Sequence, residues 1–421
     1  MDNYTAMRIL NANITKTMGC TDIGVVGYIA SIGAYTLRNK TIQSIHLTMS
    51  EELYKNSVNV GIPGLRKSGL EQALALGLLL QDPKKQLSVF ESVTDDDINQ
   101  IQDLLKQIEV TIVHKQFEDT VLYEKLEVTA KEGDTTEILI KDAYDNVKYV
   151  IRNGEKLKEF EQVALIERVH KYDIDNYDEI LKFVHKNDFS SLEELFVTAD
   201  KQYTNAKEAI KAENGDYLAE QIKGPQRTCI YDLSNFLRKH IAVPSKKRML
   251  GDVYTVYGVA GSGNLGIGTL ITPMFLSDVF ELPDSKRRQL IVLAFLTSVY
   301  VKQHMNVVTV LCGTGHAIGA SAAAVTAFIK EGKDDQIKDA INLYLSSSMG
   351  FVCDGAKLSC TYKVSFAAMN GMIAGKMVLD HSNTCDGTGL NKMNVDDTIK
   401  NLGKLNNEIL KGANKGIVEL I

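Results

Sequence analysis

TVLYEKLEVTAKEGDTTEILIKDAYDNVKYVIRNGEK, residues 120–156, is rich in β-branched and aromatic side chains and is punctuated by Glu132-Gly133-Asp134 and Asn153-Gly154. Such side chains fit a pleated, half-buried surface, and the glycine-containing strings suit tight turns. With EVTIVHKQ (109–116) before it, the stretch predicts an antiparallel sheet. Upstream, residues 41–50 alternate as a strand would, with Ile42, Ser44, His46 and Thr48 on one face and Gln43, Ile45, Leu47 and Met49 on the other. KNSVNVGIPG (55–64) reads as a strand or loop ending in a turn, and residues 66–80 and 95–107 read as helices.

On either side of this region the period is helical. Residues 1–38 read as helix. GCTDIGVVGYIASIGAYTL (19–37) opens with the capping types Thr21 and Asp22 and carries Gly24, Gly27, Ala30, Ser31 and Ala34. Small residues at that spacing let a second element approach closely. From about residue 158 helical patterns dominate, broken at Gly224-Pro225, Pro244, Pro273 and Pro283. CGTGHAIGASAAAVTAF (312–328) reads as a tightly packed core helix. The expectation is an α+β protein: a large, mostly helical domain of residues 1–40 and 158–421, with an inserted mixed α+β lobe, 41–157, that contains the antiparallel sheet.

Composition bounds the function. The 421 residues are 44% hydrophobic and 24% charged, with a formal net charge of −6, which argues against nucleic-acid binding. The basic strings Lys246-Lys247-Arg248 and Lys286-Arg287-Arg288 read as solvated turns or helix faces. No charge-flanked apolar stretch opens the chain, so no signal peptide is expected. The longest apolar run, Leu290 to Tyr300, is too short for a membrane span. A cytoplasmic protein is expected, without membrane partners, and the Gly/Ala-rich helical surfaces suit a homodimer. Six cysteines are too few for a disulfide scaffold, so the thiols are expected to be free, catalytic or metal-bound.

Three of these, Cys312, Cys353 and Cys360, lie beside glycines or small polar residues, the last two in MGFVCDGAKLSC (349–360). They read either as inert buried thiols or as a metal centre with an open coordination position. A zinc site is a further alternative, although zinc usually gathers close cysteine pairs and four ligands. Asp354 and Lys357 add polar character nearby. Cys20 opens a glycine-rich helix, where the helix dipole favours a thiolate able to act as ligand, base or nucleophile. GVAGSGNLGIGTL (258–270) contains Gly261, Gly263 and Gly266 in a weak dinucleotide-like pattern. It reads either as a tight helix–helix turn or as a loop whose N–H groups, helped by Ser262 and Asn264, approach a carboxylate. His304 and His316 bracket Cys312 and rank low as ligands; Cys229 reads as structural and Cys385 as incidental.

GCTDIG (19–24), KNSVNVGIPG (55–64), GSGNLGIGTL (261–270), LCG (311–313), CDGAKLSC (353–360) and DGTGLNKMNVDDTIKNLG (386–403) together resemble the L-cysteine desulfidase family, relatives of the iron–sulfur L-serine dehydratase alpha chain. The resemblance implies a [4Fe–4S] cluster on Cys312, Cys353 and Cys360, Cys20 as proton acceptor, and α,β-elimination from a small β-substituted amino acid without pyridoxal phosphate. Asp22 and Ile23 stand where that family usually has Glu-Pro. On this reading the open iron binds the substrate carboxylate and its β-substituent. Asn56, Gly61, Ser262 and Asn264 fix the amino acid, and Asp354 and Lys357 orient the cluster and its ligands. L-cysteine is the expected substrate. The alternatives are an L-serine or L-threonine dehydratase, a diverged amino-acid-binding protein without catalysis, and a structural zinc protein.

Overall fold

The computed structural model describes residues 1–160, 174–212, 229–380 and 387–421. Gly224-Pro225, Cys385 and Asp386 lie outside them. The chain opens with α1 (Asn3–Asn13), β1 (Ile14–Met18), α2 (Thr21–Thr36), β2 (Ile42–Ser50), α3 (Glu51–Ser57), α4 (Leu70–Leu80) and α5 (Asp95–Gln107). Strands β3 (Glu109–Lys115), β4 (Tyr123–Ala130), β5 (Thr135–Lys141), β6 (Val147–Arg152) and β7 (Glu155–Lys156) follow. Next come α6 (Tyr177–Lys186), α7 (Glu193–Ala212), α8 (Ile230–Leu250), β8 (Thr255–Val259), α9 (Gly263–Val279) and α10 (Asp284–Gln303). The chain closes with α11 (Gly313–Ile329), α12 (Asp334–Ser348), α13 (Cys360–Asp380), α14 (Val395–Lys404) and α15 (Ala413–Val418). The α+β class is as the sequence indicates.

The larger sheet has the order β3-β2-β4-β5-β6-β7. Its register aligns Leu47 with Leu126, Leu126 with Ile138, and Ile138 with Val150. All four are buried, so alternation along each strand becomes one apolar row across the sheet. The antiparallel expectation holds from β2 through β4 to β7. At the β2 edge it needs correction, because β3 runs parallel to β2. A parallel neighbour needs a crossover, and α3 to α5 supply one.

α2 packs on this sheet and is buried along nearly its whole length, as a helix apolar on all sides should be. Its small residues admit α4: a Cβ on Gly77 would lie 2.4 Å from the Gly27 carbonyl oxygen. The second, larger core gathers α6 to α14 around α10 and α11, together with α1. Residues 1–40, which the sequence groups with the helical part, therefore divide: α1 joins the larger core and α2 the sheet core.

Two local readings change. Residues 1–38 are not one helix. α1 stops at Asn13, and Ile14–Met18 pairs antiparallel with β8, Ile14 opposite Val259 and Met18 opposite Thr255. KNSVNVGIPG begins inside α3 and not in a strand. Leu290–Tyr300 is buried within α10, and no helix among the described residues is long and apolar enough to cross a membrane.

Candidate active site

Four helices longer than 15 residues, α2, α9, α11 and α13, start at one cavity between the two cores. Free N–H groups and the positive end of the dipole make such starts hospitable to anions. The lining includes Cys20, Thr21 and Asp22 from α2, Asn56 from α3, and Tyr144 from the β5–β6 turn. Arg248 from α8, Ser262 and Asn264 at α9, and Lys302 from α10 add to it. Cys312, Cys353, Cys360 and Lys363 complete the opposite wall.

The thiols owe their placement to backbone. Leu311 and Val352 form an antiparallel bridge, so that Cys312 N donates to the Phe351 carbonyl (2.6 Å) and Cys353 N to the Val310 carbonyl (2.7 Å). This sets Cys312 beside Cys353 across 40 residues of chain. Cys312 is the N-cap of α11, and its sulfur accepts from Gly315 N at 3.4 Å. Cys360 begins α13, and its thiol donates to the Gly355 carbonyl at 3.4 Å. Burial, and then the neighbouring thiols, push Cys312 upward; burial chiefly does the same to Cys360. His316 is fully buried, with its ring nitrogens 2.9 Å from the Cys312 carbonyl and 2.8 Å from that of Ser348. It braces the Cys312 backbone and lines no part of the cavity. His304 also lies outside the lining.

Asp354 pairs with both Lys357 and Lys363. Partial burial opposes its ionisation, but the two ammonium groups prevail and hold the carboxyl down at about 2. Asp354 and Lys357 therefore brace the Cys353–Cys360 loop without lining the cavity.

On the other wall Cys20, 4% exposed, is the N-cap of α2. Its thiol donates to Asp22 Oδ2 at 3.1 Å. The lowering by the helix start that the sequence suggests is opposed here by burial and charge. The Asp22 backbone does lower it, but burial and the Asp22 charge outweigh that and push the thiol up, with Arg248 opposing them. Tyr144 OH donates to Asp22 Oδ1 at 2.8 Å, and Asn56 Nδ2 reaches the same oxygen at 3.4 Å. Asn56 Oδ1 lies 3.8 Å from Cys353 Sγ, so this side chain joins the two walls.

Ser262 caps α9 through Leu265 N and meets Thr314 Oγ1 at 3.1 Å. Asn264 reaches the lining, but its amide oxygen accepts from Ser245 (3.2 Å) and its nitrogen faces Met249 sulfur (3.7 Å). Gly61 does not line the cavity. It packs against the end of α8, where its N–H donates to the Met249 carbonyl at 3.0 Å.

Arg248, Tyr144, Lys302 and Lys363 escape the sequence reading. Arg248 is 3% exposed, which corrects its assignment to a solvated face. The available signal is phase: Arg248 falls on the stripe of α8 that carries the buried Leu233, Leu237, Ile241 and Ser245. Tyr144 carries no comparable signal, because only the fold brings its turn to α2.

The family model described as serine dehydratase alpha chain matches residues 84–419. Full-length relatives include a UPF0597 protein of Fervidobacterium nodosum, 28% identical over 97% of this chain and 94% of its own. Another, from Caldanaerobacter subterraneus, is 27% identical over 98% and 97%. A third, from Methanocella arvoryzae, is 27% identical over 100% and 99%.

Proposed function

The chain belongs to the serine dehydratase alpha chain family, and on that premise we propose that it is an iron–sulfur lyase performing α,β-elimination on a small β-substituted L-amino acid, L-cysteine first and L-serine as the alternative. The observation that carries this reading is one cavity with Cys20 and Asp22 on one wall and Cys312, Cys353 and Cys360 on the other. The donor set fits a cluster. Among the described residues no three ligating side chains converge tightly enough to hold a single ion. A four-iron cluster instead takes each thiolate on a different iron, and three cysteines of this lining are there to supply them. The surrounding helix starts and Lys363 suit its negative charge.

When bound, the cluster would supply an open iron that polarises the β-substituent as a leaving group. The chain's own residues do the rest. Cys20, once ionised, takes the α-proton onto Sγ. Before ionisation Asp22 holds the thiol in place through Oδ2, while Tyr144 and Asn56 fix Oδ1. As the Cα–H bond breaks, its electron pair forms the Cα=Cβ bond and expels sulfide from cysteine or hydroxide from serine. The released enamine hydrolyses to pyruvate and ammonia.

The test is anaerobic reconstitution with iron and sulfide, followed by assay with L-cysteine and L-serine side by side. Sulfide and pyruvate from cysteine support the desulfidase form, and turnover of serine alone supports the dehydratase. A reconstituted protein that turns over neither refutes elimination. Cys20→Ser should keep the visible absorbance and lose most turnover, whereas Cys353→Ser should lose the absorbance itself.

A further inference from the structure

Arg248 is a buried cation that the elimination chemistry leaves without a task. It is 3% exposed and lines the cavity, yet it forms no ion pair among the described residues and its Nε has no hydrogen-bond partner. The other cations of the lining are engaged: Lys302 Nζ donates to the Asn306 carbonyl (3.2 Å), and Lys363 is bound to Asp354 and to the Val352 carbonyl (3.0 Å). A buried guanidinium without an acid is costly unless an anion joins it. Space has been kept for it as well. A Cβ on Gly263, the first residue of α9, would lie 2.4 Å from Arg248 Nε and 2.9 Å from Nη2. The guanidinium therefore rests against a helix start, so the fixed charge and the free N–H groups of α9 address the same volume.

We propose that Arg248, with the N-terminus of α9, is the anchor for the substrate's α-carboxylate and makes the site selective for free acids over amides and esters. This rests on the amino-acid reading above and deepens it. A planar guanidinium matches a carboxylate with two parallel hydrogen bonds, which fixes orientation as well as position. Cys20 lines the same cavity, close enough for the charge of Arg248 to favour its thiolate. A carboxylate held on Arg248 brings the adjacent Cα into the cavity that the thiol also lines. The anchor belongs to the chain itself and acts beside any metal contact to the second carboxylate oxygen.

The experiment is binding of non-reacting probes to the reconstituted holoprotein by calorimetry, with L-alanine, L-alaninamide and pyruvate. Wild type should bind L-alanine at least about 100-fold more tightly than the amide, the size expected when a buried charged pair loses one partner. Arg248→Met, checked for wild-type melting and visible absorbance, should abolish that discrimination. Arg248→Lys should restore part of it, and in turnover both variants should raise KM more than they lower kcat. Undiminished preference for the acid in Arg248→Met overturns the anchor. So does equal binding of acid and amide by wild type, which needs no variant to fold. Wild type that binds pyruvate through Arg248 but no amino acid keeps the anchor and removes the amino-acid reading. Absence of all carboxylate binding removes both.

Discussion

Burial, then the Asp22 charge and the hydrogen bond to that carboxylate, push the Cys20 thiol up and favour its protonated form. As a base it must ionise, so turnover should climb with pH along a limb set by this thiol. Asp22→Asn removes the negative charge and leaves a side chain of similar shape. Charge removal favours the thiolate, so the limb should move to lower pH, by about one unit or more. A pH profile of kcat/KM for wild type and variant reads this directly, and an unmoved limb would show that Cys20 is not the titrating base. A second residue-scale prediction concerns Glu124, fully buried on β4 with neither carboxyl oxygen hydrogen-bonded. Burial first, and then the Asp22 charge, raises its carboxyl well above 4.5. Above that pH the unfolded chain releases this proton while the folded chain keeps it, so wild-type stability falls as pH rises toward the folded value. Glu124→Gln lacks this loss. Its stability relative to wild type should therefore grow by up to about 1.4 kcal/mol per pH unit over that window, measured by urea denaturation at several pH values.

At the scale of elements, legibility follows how local the cause is. The strands β4 to β6 and helices α5 and α11 were readable because each carries its own period or capping signal, as the Thr94–Asp97 capping box of α5 shows. β1 was not, because Ile14–Met18 is fixed by a partner about 240 residues away. α3 was not, because its buried face carries Glu52 and Lys55 where a helix pattern wants apolar residues. The same split runs through the site. The cysteines and glycine loops announce themselves by type and spacing, whereas Arg248 and Tyr144 acquire meaning from what folding places beside them. The small residues of α2 give the testable case. A side chain on Gly77 would meet the Gly27 carbonyl at 2.4 Å and the Ala30 Cβ at 2.8 Å, and a backbone oxygen cannot rotate aside. Gly77→Val should separate α4 from α2 and cost about 1–3 kcal/mol in chemical denaturation. Because Gly77 lies outside the cavity lining, the reconstituted variant should keep its visible absorbance.

Over the whole molecule, the cavity depends on two cores holding register with each other, and the C-terminal region supplies one of the ties. Lys55 is completely buried, and its ammonium donates to Asn414 Oδ1 on α15 (2.7 Å) and to the Thr309 carbonyl (3.1 Å). Asn414 in turn donates to Glu52 Oε1 at 3.1 Å. One amide thus serves both Glu52 and Lys55 of α3, while Thr309 lies three residues before the N-cap thiol Cys312 and lines the cavity. α3 also carries Asn56, the side chain that joins the Cys20 wall to Cys353. Asn414→Ala would leave Glu52 without its neutral partner and Lys55 with a single carbonyl, an uncompensated buried pair worth about 3 kcal/mol of stability. The damage should reach the site, because α3 and the Thr309 segment lose their common anchor. The reconstituted variant should therefore bleach faster under a fixed concentration of chelator than wild type, in addition to unfolding at lower denaturant. Equal bleaching rates with reduced stability would confine the role of α15 to holding the fold and leave the thiol wall independent of it.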